Sequence, residues 1–239
     1  MSKLAPRNAT IEICDHDDGS KFVRKTYRAT YTALDEQLAY GRVEHVYRDC
    51  PGVRVARFLE LDSDSNSFTL EYIPGKSLYD SAAGGDFRPL NCWHTRLIAP
   101  FVLARNEGLC FDSDPSNYIV HADTAELVAI DPVCTDLRLN DYAAVVFLWG
   151  IIKLMLRTVR FWRYPALFRI GRNFKKQYLA TADAGREDFN RQMVTYIDVV
   201  IGWNREESPV DSKALKLVRR YLAIPLYSTA RFAFRRNLV

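Results

Sequence analysis

Hydrophobic and polar positions alternate along this chain in a way that marks out its elements one after another. Lys21-Phe-Val-Arg-Lys25-Thr-Tyr27 alternates as a half-buried strand does, with Lys25 late in it. From Thr30 to Arg48 the spacing becomes helical, and Glu36, Tyr40, Val43 and Tyr47 recur at i, i+4, i+7 and i+11 on one inward face. Val53 to Leu61 and Phe68 to Tyr72 read as two strands of a hairpin, joined by the polar turn Asp62-Ser-Asp-Ser-Asn66-Ser. The second strand runs into Glu71-Tyr-Ile-Pro74-Gly75-Lys-Ser-Leu78, where Pro-Gly stops the strand and allows a turn into a helix. Ser81-Ala-Ala-Gly-Gly-Asp86 reads as a flexible connection into the second half of the chain.

That second half is patterned differently. Gly108-Leu-Cys-Phe-Asp112-Ser-Asp-Pro-Ser-Asn117 is turn-rich, and short apolar strands come next at Tyr118 to Val120 and Val128 to Ile130, the latter ending in Asp131-Pro132. Tyr142 to Leu156 is apolar except for Lys153; it is shorter than the roughly 20 residues of a membrane span and reads as an internal helix. From Tyr142 to Ala182 no acidic residue occurs, while Arg157, Arg160, Arg163, Arg169, Arg172, Lys175 and Lys176 interleave with aromatic rings. A terminal helix is expected to end at Pro225, followed by a basic extension.

Composition narrows the class. The 239 residues are 48% hydrophobic, enough to bury a sizeable core, and the net charge of +4 singles out no partner by itself. The basic aromatic stretch suits an anionic membrane surface or a solvated helix face, and nothing resembles a named nucleic-acid module, which argues against nucleic acid. Five widely spaced cysteines without a C-x-x-C pair fit reduced thiols, and the amino-terminal stretch has no apolar signal core. The expected location is therefore cytoplasmic, peripheral to the inner membrane if the basic segment docks there. Asp62-x-Asp64-x-Asn66 begins like a calcium loop but has Ser67 at position six and Ile73 at position twelve, so it reads as a turn.

The order of polar groups carries the functional signal. Asp112, Asn117 five positions later, and Asp131 at a strand end are what an ATP-dependent phosphotransferase needs: one carboxylate for the acceptor hydroxyl, and an Asn/Asp pair to hold Mg²⁺ on the phosphates. Asp114 lies three residues from Asn117, too close for that pattern, so Asp112 is the candidate. Upstream, Lys25 is the candidate to grip the phosphates and Glu36 its ion-pair partner, with Glu44 on nearly the same face as the alternative. Glu71 to Ile73 would offer backbone groups to adenine.

Lys25, Glu36, the 71–78 segment, Asp112, Asn117, Asp131 and Asn140-Asp141-Tyr-Ala together resemble the small bacterial branch of the protein-kinase-like superfamily, which holds aminoglycoside phosphotransferases and lipopolysaccharide core heptose kinases. The resemblance covers about residues 10 to 156. It implies an α+β fold of two lobes in a single kinase-like domain, with a reduced amino-terminal sheet lobe (1–73) and a mainly helical lobe (74–239). It further implies ATP and Mg²⁺, a sugar or glycolipid acceptor, Asp112 as catalytic aspartate, Asn117 and Asp131 as metal ligands, and Asp141 as a structural brace of the catalytic loop. This chain departs from the pattern in three places. The Gly-rich loop is missing, with residues 1 to 9 leaving little room for a first strand and the acidic turn 15–20 lying where phosphates would approach. Cys110 stands where many relatives have histidine, and Pro132-Val133 follows Asp131 in place of Phe-Gly. The alternative is therefore a noncatalytic kinase-like module that docks a partner or membrane.

Overall fold

The computed structural model describes residues 9–27, 32–132, 137–157, 164–205 and 222–236. Its first layer is an antiparallel sheet in the order β1-β2-β5-β4, from β1 (Ala9–Asp15), β2 (Lys21–Tyr27), β4 (Phe58–Asp62) and β5 (Ser67–Glu71). A helix, α1 (Ala33–Tyr47), packs beside it. The helix starts where Thr32 and Asp35 form a reciprocal capping box, Thr32 Oγ1 accepting from the Asp35 N–H and Asp35 Oδ2 from the Thr32 N–H, each at 3.1 Å.

A second four-stranded sheet has the order β3-β8-β7-β6 and combines β3 (Val53–Val55), β6 (Gly75–Ser77), β7 (Tyr118–His121) and β8 (Leu127–Ala129), β3 running parallel to β8. The expected single strand from Val53 to Leu61 is therefore two strands in two sheets. Arg54 and Arg57 explain the break: both are drawn to the Glu71 carboxylate, Arg54 through its guanidinium and Arg57 through its N–H at 2.6 Å, and the chain turns between them. Gly75 allows β6 to lie against β7, since a Cβ there would sit 2.1 Å from the Val120 carbonyl oxygen.

The rest is helical: α2 (Leu78–Gly84), α3 (Arg88–Arg96), α4 (Ile98–Asn106), α5 (Tyr142–Arg157), α6 (Tyr164–Thr181), α7 (Arg186–Arg205) and α8 (Ile224–Arg235). Two expectations fail here. The stretch 81–86 belongs largely to α2, capped by Ser77 accepting from the Asp80 N–H at 2.9 Å and closed by Gly85 in the left-handed region. Helical backbone continues past Pro225 to Arg235, with Pro225 in the first turn of α8, and the body of the helix expected before it lies outside the described residues.

The core is centred on α5, whose residues from Tyr142 to Ile151 are all buried. Phe147 packs with Phe101 at 5.6 Å and Phe174 at 5.0 Å between ring centroids, joining α5 to α4 and α6. Two tyrosines pin α1 to the floor of the molecule. The Tyr40 hydroxyl donates to the Ile130 carbonyl, and the buried hydroxyls of Tyr47 and Tyr118 meet at 2.6 Å. No helix among the described residues is long and apolar enough to cross a membrane.

Candidate active site

Three elements far apart in sequence deliver side chains to one place. Lys25 on β2 is 5% exposed, and its Nζ lies 2.6 Å from Asp131 Oδ1 and 3.7 Å from the buried Glu36 carboxylate of α1. Glu44, the alternative partner, is exposed on α1. Asp131 follows β8, and its carbonyl accepts from the Asn117 amide at 3.4 Å. The Ile130 N–H donates to the Asn117 carbonyl at 2.9 Å, so the loop and the strand end hold each other.

The loop carrying Asp112 is fixed by its own polar groups. Asp112 Oδ1 accepts from the Asp114 N–H at 3.0 Å, while Asp114 Oδ1 caps the short 3-10 turn Pro115–Asn117 through the Ser116 N–H and hydroxyl. Ser113 donates its hydroxyl to the Ala143 carbonyl at the start of α5. Burial, and then the neighbouring Asp114 and Asp131 carboxylates, push Asp112 up to about 7, against a smaller downward pull from Lys153. Both oxygens of Asp114 are engaged, Oδ1 by Ser116 and Oδ2 by Lys153.

Strand register identifies the side chains that share the Lys25 face of the first sheet. Lys25 pairs with Ile11 and Phe68, and Val23 with Ile13 and Leu70, so all six side chains share the face that carries Lys25. Ile11 and Ile13 are each 60% exposed and offer an apolar surface of the kind a flat base packs against. At the hinge, the Glu71 N–H is taken by the Arg57 carbonyl at 3.0 Å, so an adenine contact from Glu71 would use its carbonyl, and one from the buried Ile73 its N–H.

Several expectations are revised. A strand does precede Lys21, because β1 spans Ala9–Asp15 and pairs with β2 along its whole length. The acidic turn joins β1 to β2, and the four residues from Lys21 to Lys25 place it about 13 Å from Lys25 along the strand. Asp141 is 1% exposed, ion-pairs with Arg105 and accepts from Tyr178 and Gln192, so it ties α5 to α4, α6 and α7, while Ser113 holds the loop. Cys110 donates its thiol to the Leu139 carbonyl at 3.4 Å. Of the basic aromatic stretch, residues 158–163 lie outside the described residues; Phe168, Arg169, Arg172 and Lys176 stand exposed on α6. Sequence reasoning gave no role to Ile11, Ile13, Val23 or Lys153. Lys153 did carry a signal, as the lone charge between Tyr142 and Leu156.

The fold is protein-kinase-like: an antiparallel sheet lobe with one helix, a hinge, and a helical lobe whose loop and strand end face the sheet. No family model matches the chain, and no curated protein does. Solved structures do match, among them amicoumacin kinase hAmiN in complex with AMP-PNP, Ca²⁺ and Ami. That likeness has a TM-score of 0.51 at 12% identity, over 98% of this chain and 87% of the other. At that identity it establishes the fold, and the chemistry has to be argued from the residues.

Proposed function

We propose that this chain transfers the γ-phosphoryl group of ATP to a hydroxyl, with a sugar of the lipopolysaccharide core as the leading acceptor. One observation carries the reading: Lys25, Glu36 and Asp131 converge from β2, α1 and the end of β8, with Lys25 Nζ 2.6 Å from Asp131 and 3.7 Å from Glu36. A buried lysine between a buried carboxylate and a partly exposed one suits an anionic ligand that replaces the second.

Asp112 would take the proton of the acceptor hydroxyl as its oxygen bonds to the γ-phosphorus and the bond to the departing ADP breaks. A carboxylate held at about 7 is well matched to that exchange near neutral pH. Lys25 would bind the phosphates and orient them for in-line attack, with Glu36 fixing its ammonium. The residues also fit a divalent cation. No cluster of three His, Cys, Asp or Glu occurs among the described residues, so a cation here would be shared between the Asp131 carboxylate, Asn117 and phosphate oxygens, which is how Mg²⁺ is usually held beside nucleotides. Its chemistry would be to neutralise charge on the phosphates. The amicoumacin kinase neighbour binds AMP-PNP and Ca²⁺ on the same fold, which supports nucleotide and divalent-metal use here.

Calorimetric titration with ATP, with and without Mg²⁺, tests this on the native chain and on Asp131→Ala. Metal-dependent binding that the substitution removes is expected. Absence of binding under both conditions would overturn the reading in favour of a noncatalytic kinase-like module.

A further inference from the structure

A lysine inside an apolar helix needs a reason. Lys153 is the single charged side chain among the first fifteen residues of α5, and taking an ammonium out of water there costs several kcal/mol unless it finds a counter-charge. It finds Asp114, two residues beyond Asp112, and the two form a close ion pair. The side chains of Lys153 and Asp114 are 20% and 9% exposed, so the pair is screened from bulk water yet reaches the edge of the site.

The helix face is built for this contact. One turn earlier, Gly150 faces the same loop, and a Cβ there would lie 2.1 Å from Pro115 Cδ and 3.4 Å from Asp114 Cγ. The missing side chain lets the 112–117 loop lie directly on α5, and Lys153 closes the contact at its far end. Asp114 in turn passes the restraint on, since its N–H donates to Asp112 Oδ1 at 3.0 Å. The titratable and charged groups facing Asp112 are Asp114 in the loop, Asp131 with Lys25 beyond it, Lys153 of α5, and the hydroxyls of Tyr118 and Tyr196 from β7 and α7. Asp114 would repel the Asp112 carboxylate and twist the loop if its own charge were unopposed, and Lys153 is the cation that opposes it.

We propose that Lys153 is a positioning residue for phosphoryl transfer, holding the Asp112 carboxylate in place through Asp114. The proposal rests on the function above and adds to it the element that sets the geometry of the loop.

The test uses the full chain with Mg²⁺·ATP as ligand and water as the acceptor, reading ADP formation by rate and nucleotide affinity by calorimetry, with Asp112→Asn as reference. Lys153→Met is expected to slow hydrolysis by about 10- to 100-fold, the loss that a misplaced catalytic group brings. Nucleotide affinity should stay within about twofold, because Lys153 does not reach the Lys25 side of the site. Lys153→Arg should recover most of the rate. Asp114→Asn should slow the reaction similarly, and the double variant should be no slower than either single one, since both act on Asp112 by one route. Lys153→Met at the native rate, beside an inactive Asp112→Asn, would overturn this role and leave the function standing. Losses that multiply in the double variant would overturn it too. Asp112→Asn at the native rate would remove the function itself, and with it anything to position.

Discussion

Replacing Asp112 by Asn should make the protein more stable while it stops phosphoryl transfer. Burial and two neighbouring carboxylates raise Asp112 from 3.8 to about 7, so the folded chain holds this proton more tightly than the unfolded chain does. Ionising the group inside the fold therefore lowers stability as pH rises from 3.8 to about 7, and above 7 the penalty is complete. At about 1.4 kcal/mol for each tenfold change in proton affinity, the upper bound is about 4 kcal/mol. The half-buried carboxylate still meets water and the loop can relax, so about 2 kcal/mol is the expected gain at pH 8, and less than half of that at pH 5. Asparagine keeps an oxygen for the Asp114 N–H and does not titrate, so little else changes. Urea unfolding of both proteins at pH 5 and pH 8 reads the difference directly, and a thermal scan should show Asp112→Asn melting about 4 to 8 °C higher at pH 8. Equal stability at both pH values, or a less stable variant at pH 8, would refute the placement of Asp112 among buried like charges.

Two further substitutions probe the supports of the site. Gly150→Ala should gain about 1 kcal/mol from helix propensity alone, but a Cβ 2.1 Å from the Pro115 ring, which cannot swing aside, should turn this into a net loss of about 2 kcal/mol in urea. Asp141→Asn should lose about 3 kcal/mol, because Tyr178 and Arg105 address one carboxylate oxygen and Gln192 the other. Whichever way the new amide turns, its nitrogen faces a donor, so an unchanged urea midpoint would contradict the network.

The parts of the molecule legible in the sequence are those set by local order. The Lys25 strand, the Glu36 face of α1, the turn at Asp62, the buried α5 and the Asp112-to-Asp131 series all stand in the alternation and helical spacing of side chains. The boundary errors come from contacts that local pattern does not encode. Val53 to Leu61 is continuous in composition, and only Glu71, ten residues beyond its end, reveals why the chain leaves one sheet for another. Pro225 reads as a stop because proline breaks helix interiors, but it also suits a first turn, and the two uses look alike without the neighbouring helix. Lys153 is visible as an oddity, but its meaning needs Asp114 beside it.

The two tyrosine contacts that hold α1 bear on how such a molecule can be governed. A helix that brings a glutamate to a lysine can act as a throttle if it is free to swing outward and part the pair. Here Tyr40 is bolted to the backbone just before Asp131, and Tyr47 to the strand that follows Asn117, so a swing of α1 would break both anchors and drag on the loop and strand end together. The ion pair is thus assembled by folding itself. The β1–β2 hairpin stands at the sheet's edge, and its outer strand has no neighbour on its far side among the described residues. On the function proposed above, the Lys25–Glu36 pair would need no outside signal to bring it together.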